Sequence, residues 1–315
     1  MGDRRAAARD SVQGLALGDA FGERWFPLFR TPEAAYAQIR ARRMPSEAPW
    51  YWTDDTAMAL GVLRTLHDRG EIEQDHLSRV LAETYLADPA RGYGSGMHEL
   101  LPRLAKAPTA WRSGAQGLFG GRGSLGNGAA MRTAPLGAWF HDDLDQVVVQ
   151  AVRAAEVTHR HPEGIAGAVA VAVAAAAAAA TRDRACPIGS GFLRTVAERT
   201  PPSLVRDGLE QAGDLPADTP AWKAADLLGN GQRIRADDTV PFALWSAAHH
   251  LDSLTDALWV TAEGLGDVDT TCAITAGIVA ARTGLHHIPD NWLARREPLP
   301  DWVETDTEAE PGCAP

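Results

Sequence analysis

The sequence predicts an all-α protein: one helical-bundle domain over residues 1–297, followed by an acidic, proline-containing tail over 298–315. Three observations carry that expectation. Apolar residues recur at helical spacing, as in Met58, Leu60, Val62, Leu63 and Leu66. No sustained alternation of Val, Ile, Thr and aromatic residues, the pattern a half-buried strand needs, occurs anywhere. Residues 165–180 are mostly alanine, the best helix former.

Taken in order, residues 10–22 read as a helix with glycines on one face. Glycine inside a helix costs roughly 1 kcal/mol relative to alanine, so Gly14 and Gly18 point to close packing against a neighbour. Asp19 stands in that apolar setting either as a buried acid bonded to backbone or as a ligand contact. Residues 23–50 hold Pro27, Pro32, Pro45 and Pro49 and read as a long loop with one short helix over 32–42. Helices follow over 53–69 and 75–86, then a flexible glycine loop over 91–96 and an apolar run over 97–104. Residues 144–158 form a helix that Pro162 brings to an end. The alanine-rich helix over 164–182 has small side chains all round, which suits the centre of a bundle. Proline-separated short helices over 183–220 precede helices at 222–228, 240–250, 253–263 and 270–283. From Pro298 the chain is acidic and expected to be disordered.

The composition narrows the function. A formal charge of −11 and a pI near 5.4 argue against a general nucleic-acid-binding surface, while leaving room for a local phosphate site. Cys186, Cys272 and Cys313 are far apart, without a CxxC, so neither a disulfide framework nor a zinc site is implied. Cys272 reads as a small buried hydrophobe. Residues 1–10 are charged, with no apolar core of a leader. The longest apolar run falls short of the roughly 20 strongly apolar residues of a membrane span. A soluble, cytoplasmic monomer is the expectation.

Two stretches concentrate the chemistry. Trp52-Thr53-Asp54-Asp55-Thr56 places adjacent carboxylates between two hydroxyls at a helix start, and Gly266-Asp267-Val268-Asp269-Thr270-Thr271 repeats the arrangement much later. Asp and Thr at such positions are also ordinary caps, worth roughly 0.5–2 kcal/mol each. Capping needs one acceptor, however, and four carboxylates brought together require cations between them. Hard oxygen donors in that number suit Mg²⁺ or Mn²⁺ rather than zinc. Between the clusters, residues 119–128 (FGGRGSLGNG) run into Ala129 and offer unhindered backbone N–H groups, suited to phosphate. The spacing is neither a Walker A loop nor a dinucleotide fingerprint, and a plain loop is the alternative. His159 and His161 lack partners for a zinc site. A histidine donating to a phosphate or sugar oxygen and a packing role both remain open, and the pair His249-His250 reads as structural.

Together, in order, residues 14–22 (GLALGDAFG), 52–58 (WTDDTAM), 123–132 (GSLGNGAAMR), Thr158-His159 and 266–270 (GDVDT) resemble the ADP-ribosylglycohydrolase family, typified by dinitrogenase reductase-activating glycohydrolase. The segment 88–96 (DPARGYGSG) looks most like the branch acting on serine-linked ADP-ribose and poly(ADP-ribose), which brings Tyr93 and Gly94 among the substrate contacts. The resemblance implies an all-helical fold with two Mg²⁺ or Mn²⁺ ions in a surface cleft, held by Thr53, Asp54, Asp55, Asp267, Asp269 and Thr270, with Asp269 bridging. It further implies that Gly123, Ser124, Leu125, Gly126, Asn127 and Gly128 cradle a diphosphate. Phe119 then stacks on adenine and His159 contacts the distal ribose or phosphate.

The implied activity is metal-dependent hydrolysis of an N- or O-glycosidic ADP-ribosyl linkage in a modified macromolecule or small derivative, with Asp54, Asp55 and Asp269 in the catalytic set. Three positions depart from the family pattern. Phe26 stands where the family carries a glutamate seven residues after Asp19, leaving Glu23 as the nearby carboxylate for proton transfer. Leu125 replaces a tyrosine, and Leu265 precedes Gly266-Asp267 in place of a glycine. An ADP-ribose-binding or structural protein without turnover is the alternative that Phe26 raises.

Overall fold

Helices supply the regular structure in the computed structural model, which describes residues 2–27, 31–44, 49–182, 184 and 188–304. Among the described residues there is no strand, only two isolated bridges, Trp50–Arg296 and Gly126–Arg235. The chain runs through α1 (Gly2–Glu23), α2 (Pro32–Arg40), α3 (Asp54–Arg69), α4 (Gln74–Ala87), α5 (Ser95–Lys106), α6 (Trp111–Gly121), α7 (Ala134–Trp139), α8 (Leu144–Glu156) and α9 (Pro162–Ala179). It continues through α10 (Ser190–Arg199), α11 (Leu204–Asp214), α12 (Ala221–Leu228), α13 (Ala236–His249), α14 (Leu254–Ala262), α15 (Val268–Thr283), α16 (Asp290–Leu293) and α17 (Asp301–Glu304).

The glycines of α1 explain the most intimate contact in the fold. Gly14, Gly18 and Gly22 recur every four residues, hence along one stripe of the helix. That stripe lies on α15. A Cβ on Gly14 would stand 2.2 Å from the Ala280 methyl, one on Gly18 2.3 Å from the Cys272 carbonyl oxygen, and one on Gly22 2.5 Å from Cα of Asp269. The missing side chains let the two backbones approach, and the approach brings the C-terminal half of α1 onto the first turn of α15.

Alanine does for α9 what glycine does for α1. Helices α7, α8, α10, α11, α13 and α15 all pack around it. Gly137 of α7 comes so near that a Cβ there would sit 1.9 Å from the Ala172 carbonyl oxygen. By length and apolarity α9 could cross a membrane, yet 78% of that window is buried inside the protein. Cys272 is fully buried, as expected of a small hydrophobe, while Cys186 and Cys313 lie outside the described residues.

Several boundaries differ from expectation. Helix α1 starts at Gly2 rather than near residue 10, and the burial of Ala7 and Ala8 shows that its first turns already pack. Helix α13 begins at Ala236 and carries Pro241 inside it. The proline forfeits one helical hydrogen bond, and its ring packs on Gly208 of α11. Helices α6 and α7 were not anticipated, because glycine and proline depress their helical signal. The expectation of disorder from Pro298 does not hold for its first residues. Leu299 and Val303 are buried, and Trp302 lies edge-on to His67 with Arg64 over its ring. Residues 305–315 lie outside the described residues.

Candidate metal centre and substrate cleft

Asp19 is the base on which the first acid cluster rests. It is fully buried on α1, and its Oδ2 accepts from Thr53 N at 2.9 Å, Thr56 N at 3.1 Å and Thr56 Oγ1 at 2.6 Å. Its Oδ1 accepts from Thr53 Oγ1 at 2.9 Å. One carboxylate thus satisfies the free backbone donors at the start of α3, the work a cap normally does within its own helix. Both threonines of the cluster are engaged in holding Asp19.

Arg91 holds the same loop from outside. Its backbone carbonyl accepts from Asp54 N at 2.8 Å, and its Nη1 donates to the Trp52 carbonyl at 2.8 Å. The guanidinium lies 3.7 Å from the centroid of the Trp52 ring and pairs bidentately with Glu297 at 2.6 and 2.7 Å. Planar, bidentate geometry of this kind is specific to arginine. Arg91→Lys is therefore expected to loosen the Trp52–Asp55 loop and lower the melting temperature by a few degrees, roughly 1–2 kcal/mol. An unchanged melting curve would show that the clamp contributes nothing.

The second cluster arrives on α15. Gly266, with φ of +69°, makes the turn before it, where a Cβ would fall 2.4 Å from the Asn230 carbonyl oxygen. Only glycine suits that position. Asp269 Oδ1 accepts from Thr270 N at 2.8 Å, and Thr270 Oγ1 reaches Asp55 Oδ2 at 3.4 Å. Asp19, Asp55 and Asp269 each present an oxygen within 4.8 Å of the others. The two clusters therefore do meet, with Asp19, for which the sequence leaves a structural and a ligand-contact reading open, as a third contributor.

Electrostatics make this arrangement costly by itself. Burial and the Asp19 charge push the Asp55 carboxyl well above the usual range. Burial, then Asp267 and Asp19, do the same to Asp269. Burial and then Asp19 raise Asp54 to about 7, and burial raises Asp19 itself to about 6 against its four hydrogen bonds. Asp267 is raised by burial and held back by the amide of Asn127, whose Nδ2 donates to Asp267 Oδ2 at 2.6 Å. Among the described residues the buried Asp55 Oδ1 has no hydrogen-bond partner. An unpartnered carboxylate oxygen among crowded acids, in an all-oxygen donor set, fits a hard divalent ion.

The acids open into a cleft of about 530 Å³. Asp54, Asp55, Asp267, Asp269 and Thr270 line it, and Met58 and Met131 provide apolar wall. Gly123, Ser124, Leu125, Gly126, Asn127, Gly128, His159 and Phe119 line it too. Phe119 is half-exposed, has φ of +52°, and its ring edge rests over Gly96. A bulky residue in the left-handed region is strained backbone, and such strain concentrates at binding sites. The loop 231–235, which no motif in the sequence singled out, adds Arg233, Ile234 and Arg235 to the lining. It is tied to the glycine loop by the Gly126–Arg235 bridge and by Ala236 N donating to the Leu125 carbonyl at 3.1 Å.

The chain matches the family model for ADP-ribosylglycohydrolase over residues 1–310. It belongs to the ADP-ribosylglycohydrolase family. Human ADP-ribosylhydrolase ARH3 is 26% identical over 290 residues, which cover 82% of this chain and 77% of that protein. The ADP-ribosylarginine hydrolase Tri1 of Serratia proteamaculans is 25% identical over 297 residues, covering 91% and 74% respectively. A solved structure described as an ADP-ribosylglycohydrolase-related protein complex shares the fold, with a TM-score of 0.55 at 24% identity and 94% of each chain covered.

Within this member of the family the expected site residues fall into two groups. Those on the glycine loop and the acid clusters come together in the cleft, apart from Thr53, whose hydroxyl faces Asp19 and, at 3.3 Å, Asp55 Oδ2. Glu23 and Tyr93 do not line the cleft. Glu23 ends α1 one turn beyond Asp19, its carboxyl raised by burial and by the Asp19 charge. Tyr93 is buried against Tyr85, with ring centroids 5.0 Å apart, and its place in the wall is taken by Gly92, Gly94, Ser95 and Gly96. Phe26 packs on the hydrophobic core and also lies off the cleft.

Proposed function

We propose that the protein hydrolyses an ADP-ribosyl glycosidic linkage at a divalent-cation centre formed by Asp54, Asp55, Asp267, Asp269 and Thr270, with Asp19 and Thr53 beneath. The observation that carries this reading is the convergence of Asp19, Asp55 and Asp269, the last two of which line a cleft that the glycine loop also walls. A bound Mg²⁺ or Mn²⁺ supplies charge compensation and Lewis acidity there. The chain's own groups do the rest. Backbone N–H groups of residues 123–128 bind the diphosphate, Phe119 stacks on the adenine, and His159 donates to a ribose or phosphate oxygen. The carboxylates lining the cleft favour the positive charge that develops on the ribose as the glycosidic bond breaks.

The relatives named as ADP-ribosylhydrolases support the same reaction type. The test is to incubate the metal-stripped protein, with and without Mg²⁺ or Mn²⁺, with arginine-, serine- and nucleic-acid-linked ADP-ribose and O-acetyl-ADP-ribose. Free ADP-ribose released by the wild type but not by Asp269→Asn is the expected result. A second reading, an ADP-ribose-binding protein without turnover, is favoured by one observation: neither Glu23 nor Phe26 lines the cleft. Binding without release from any substrate would establish it.

Two variants refine the assignment. General acid–base groups contribute about 10²–10⁴-fold, so Glu23→Gln is expected to leave turnover within about twofold of wild type. A hundredfold fall would return proton transfer to Glu23. Phe119→Ala is expected to weaken ADP-ribose binding by roughly 1–3 kcal/mol, the worth of one stacked base, with little change in stability. Unchanged affinity in titration calorimetry would place the adenine elsewhere.

A further inference from the structure

Arg132 is a fully buried cation, and among the described residues no carboxylate is in direct contact with it. Its Nη2 donates to the Ala154 carbonyl at 2.8 Å and to Thr158 Oγ1 at 2.8 Å; Nη1 faces the sulfur of Met58 at 3.8 Å, and Nε has no partner. Thr158 is fully buried too, and its Oγ1 lies 2.7 Å from Nδ1 of His159. The other edge of that imidazole faces the cleft. Its Nε2 lies 3.5 Å from where a Cβ on Gly126 would stand and 3.2 Å from the equivalent point on Gly128.

The direction of these bonds is fixed by what each group can do. A guanidinium only donates, so the contact from Arg132 occupies a lone pair of the Thr158 oxygen. The hydroxyl has one proton to give, and Nδ1 of His159 is the acceptor it meets. If Nδ1 carried the imidazole proton, it would donate to the second lone pair of the hydroxyl oxygen, and the hydroxyl's own proton would be left without an acceptor in the interior, at the cost of an unmade buried hydrogen bond. Both the Thr158 hydroxyl and Nδ1 are satisfied only when Thr158 donates to Nδ1, which leaves the imidazole proton on Nε2.

We propose that Arg132 and Thr158 are positioning residues that lock His159 as the neutral Nε2–H tautomer, aimed between Gly126 and Gly128 as a fixed donor to an anionic oxygen of the ligand. The tautomer follows from the interior alone; the identity of the acceptor rests on the function proposed above. The placement of a cation beside His159 supports the neutral form, since burial and then the Arg132 charge lower the imidazole pKa to about 3. A donor of this kind recognises phosphate or a sugar hydroxyl without itself adding charge beside the acid clusters.

The test is long-range ¹H–¹⁵N NMR of the full-length protein labelled at histidine, with the His159→Gln spectrum identifying the resonance. Wild-type His159 is expected to show a protonated Nε2 and an unprotonated Nδ1. Thr158→Val keeps the shape and removes the hydroxyl. It is expected to lose the single-tautomer signature and bind ADP-ribose about tenfold more weakly, one hydrogen bond's worth, while Thr158→Ser restores both. A wild-type proton on Nδ1 or on both nitrogens overturns the proposal, as does a Thr158→Val spectrum identical to wild type. If Thr158→Val does not fold, the wild-type spectrum decides. An Nε2–H tautomer in a protein that fails to bind ADP-ribose would uphold the relay and reject the functional reading instead.

Discussion

Asp55→Asn is expected to raise the melting temperature of the metal-free protein at neutral pH and to abolish most of the upward shift that Mg²⁺ or Mn²⁺ gives the wild type. The two effects have one cause. Asp55 is buried among Asp19, Asp54, Asp267 and Asp269, and its charge is disfavoured by all of them. An amide of the same shape removes that cost, so the melting temperature rises. It also removes the oxygen charge a cation needs, so ligand-linked stabilisation shrinks.

The wild type should show the same balance as a pH dependence. Asp19 and Asp54 have folded-state values of about 6 and about 7 against an ordinary 3.8, so the folded form binds more protons than the unfolded chain between those limits. Their contribution is fully present below pH 4 and is lost as pH rises through about 6 and then about 7. Metal-free melting temperatures therefore fall across that window, and saturating Mg²⁺ flattens the fall. A metal-free protein in which Asp55→Asn is strongly destabilising would mean that the carboxylate is held by contacts other than cations.

Gly18→Ala carries the second large effect, and its sign is opposite to what helix propensity gives. In an open helix that exchange stabilises by roughly 1 kcal/mol. Here the new methyl would fall 2.3 Å from the Cys272 carbonyl oxygen and 2.7 Å from the Ala276 methyl, both on α15. Backbone cannot rotate away, so α1 and α15 must separate, at a cost of about 1–3 kcal/mol or more. Because Asp19 follows directly on α1 and Asp269 opens α15, separation also pulls apart two sides of the acid triad. Gly18→Ala is expected to lower the melting temperature by several degrees and to weaken the response to Mg²⁺. Gly117→Ala in α6, where nothing lies within 4 Å of the new methyl, is the control and should be neutral or slightly stabilising. Equal behaviour of the two variants would refute the close-packing account.

How much of this was legible in the sequence depended on whether a signal was local. Asp54, Asp55, Asp267 and Asp269 could be read because paired acids with hydroxyls at a helix start exceed what capping needs. The glycine loop could be read from its composition, although only the fold shows that it walls the same cleft as the acids. Asp19 could not be assigned from sequence, since its part depends on α1 meeting both α3 and α15. The roles of Arg132 and Arg91 were hidden for a similar reason. One is a buried cation whose partners lie on α8 and beside it, and the other clamps a loop through Glu297, far away in the chain. The lining at Arg233, Ile234 and Arg235 has no motif. Tyr93 was misplaced by a single position, since the tight run of glycines around it turns its ring inward while their backbone faces the cleft.

The central claim is that these carboxylates form a divalent-cation site. Diffraction from crystals equilibrated with Mn²⁺, recorded at the manganese absorption edge, tests it most directly. The account predicts anomalous density among the oxygens of Asp55, Asp269 and their neighbours, absent from Asp55→Asn crystals treated alike. Density confined to surface acids, with none in the cleft, would contradict it.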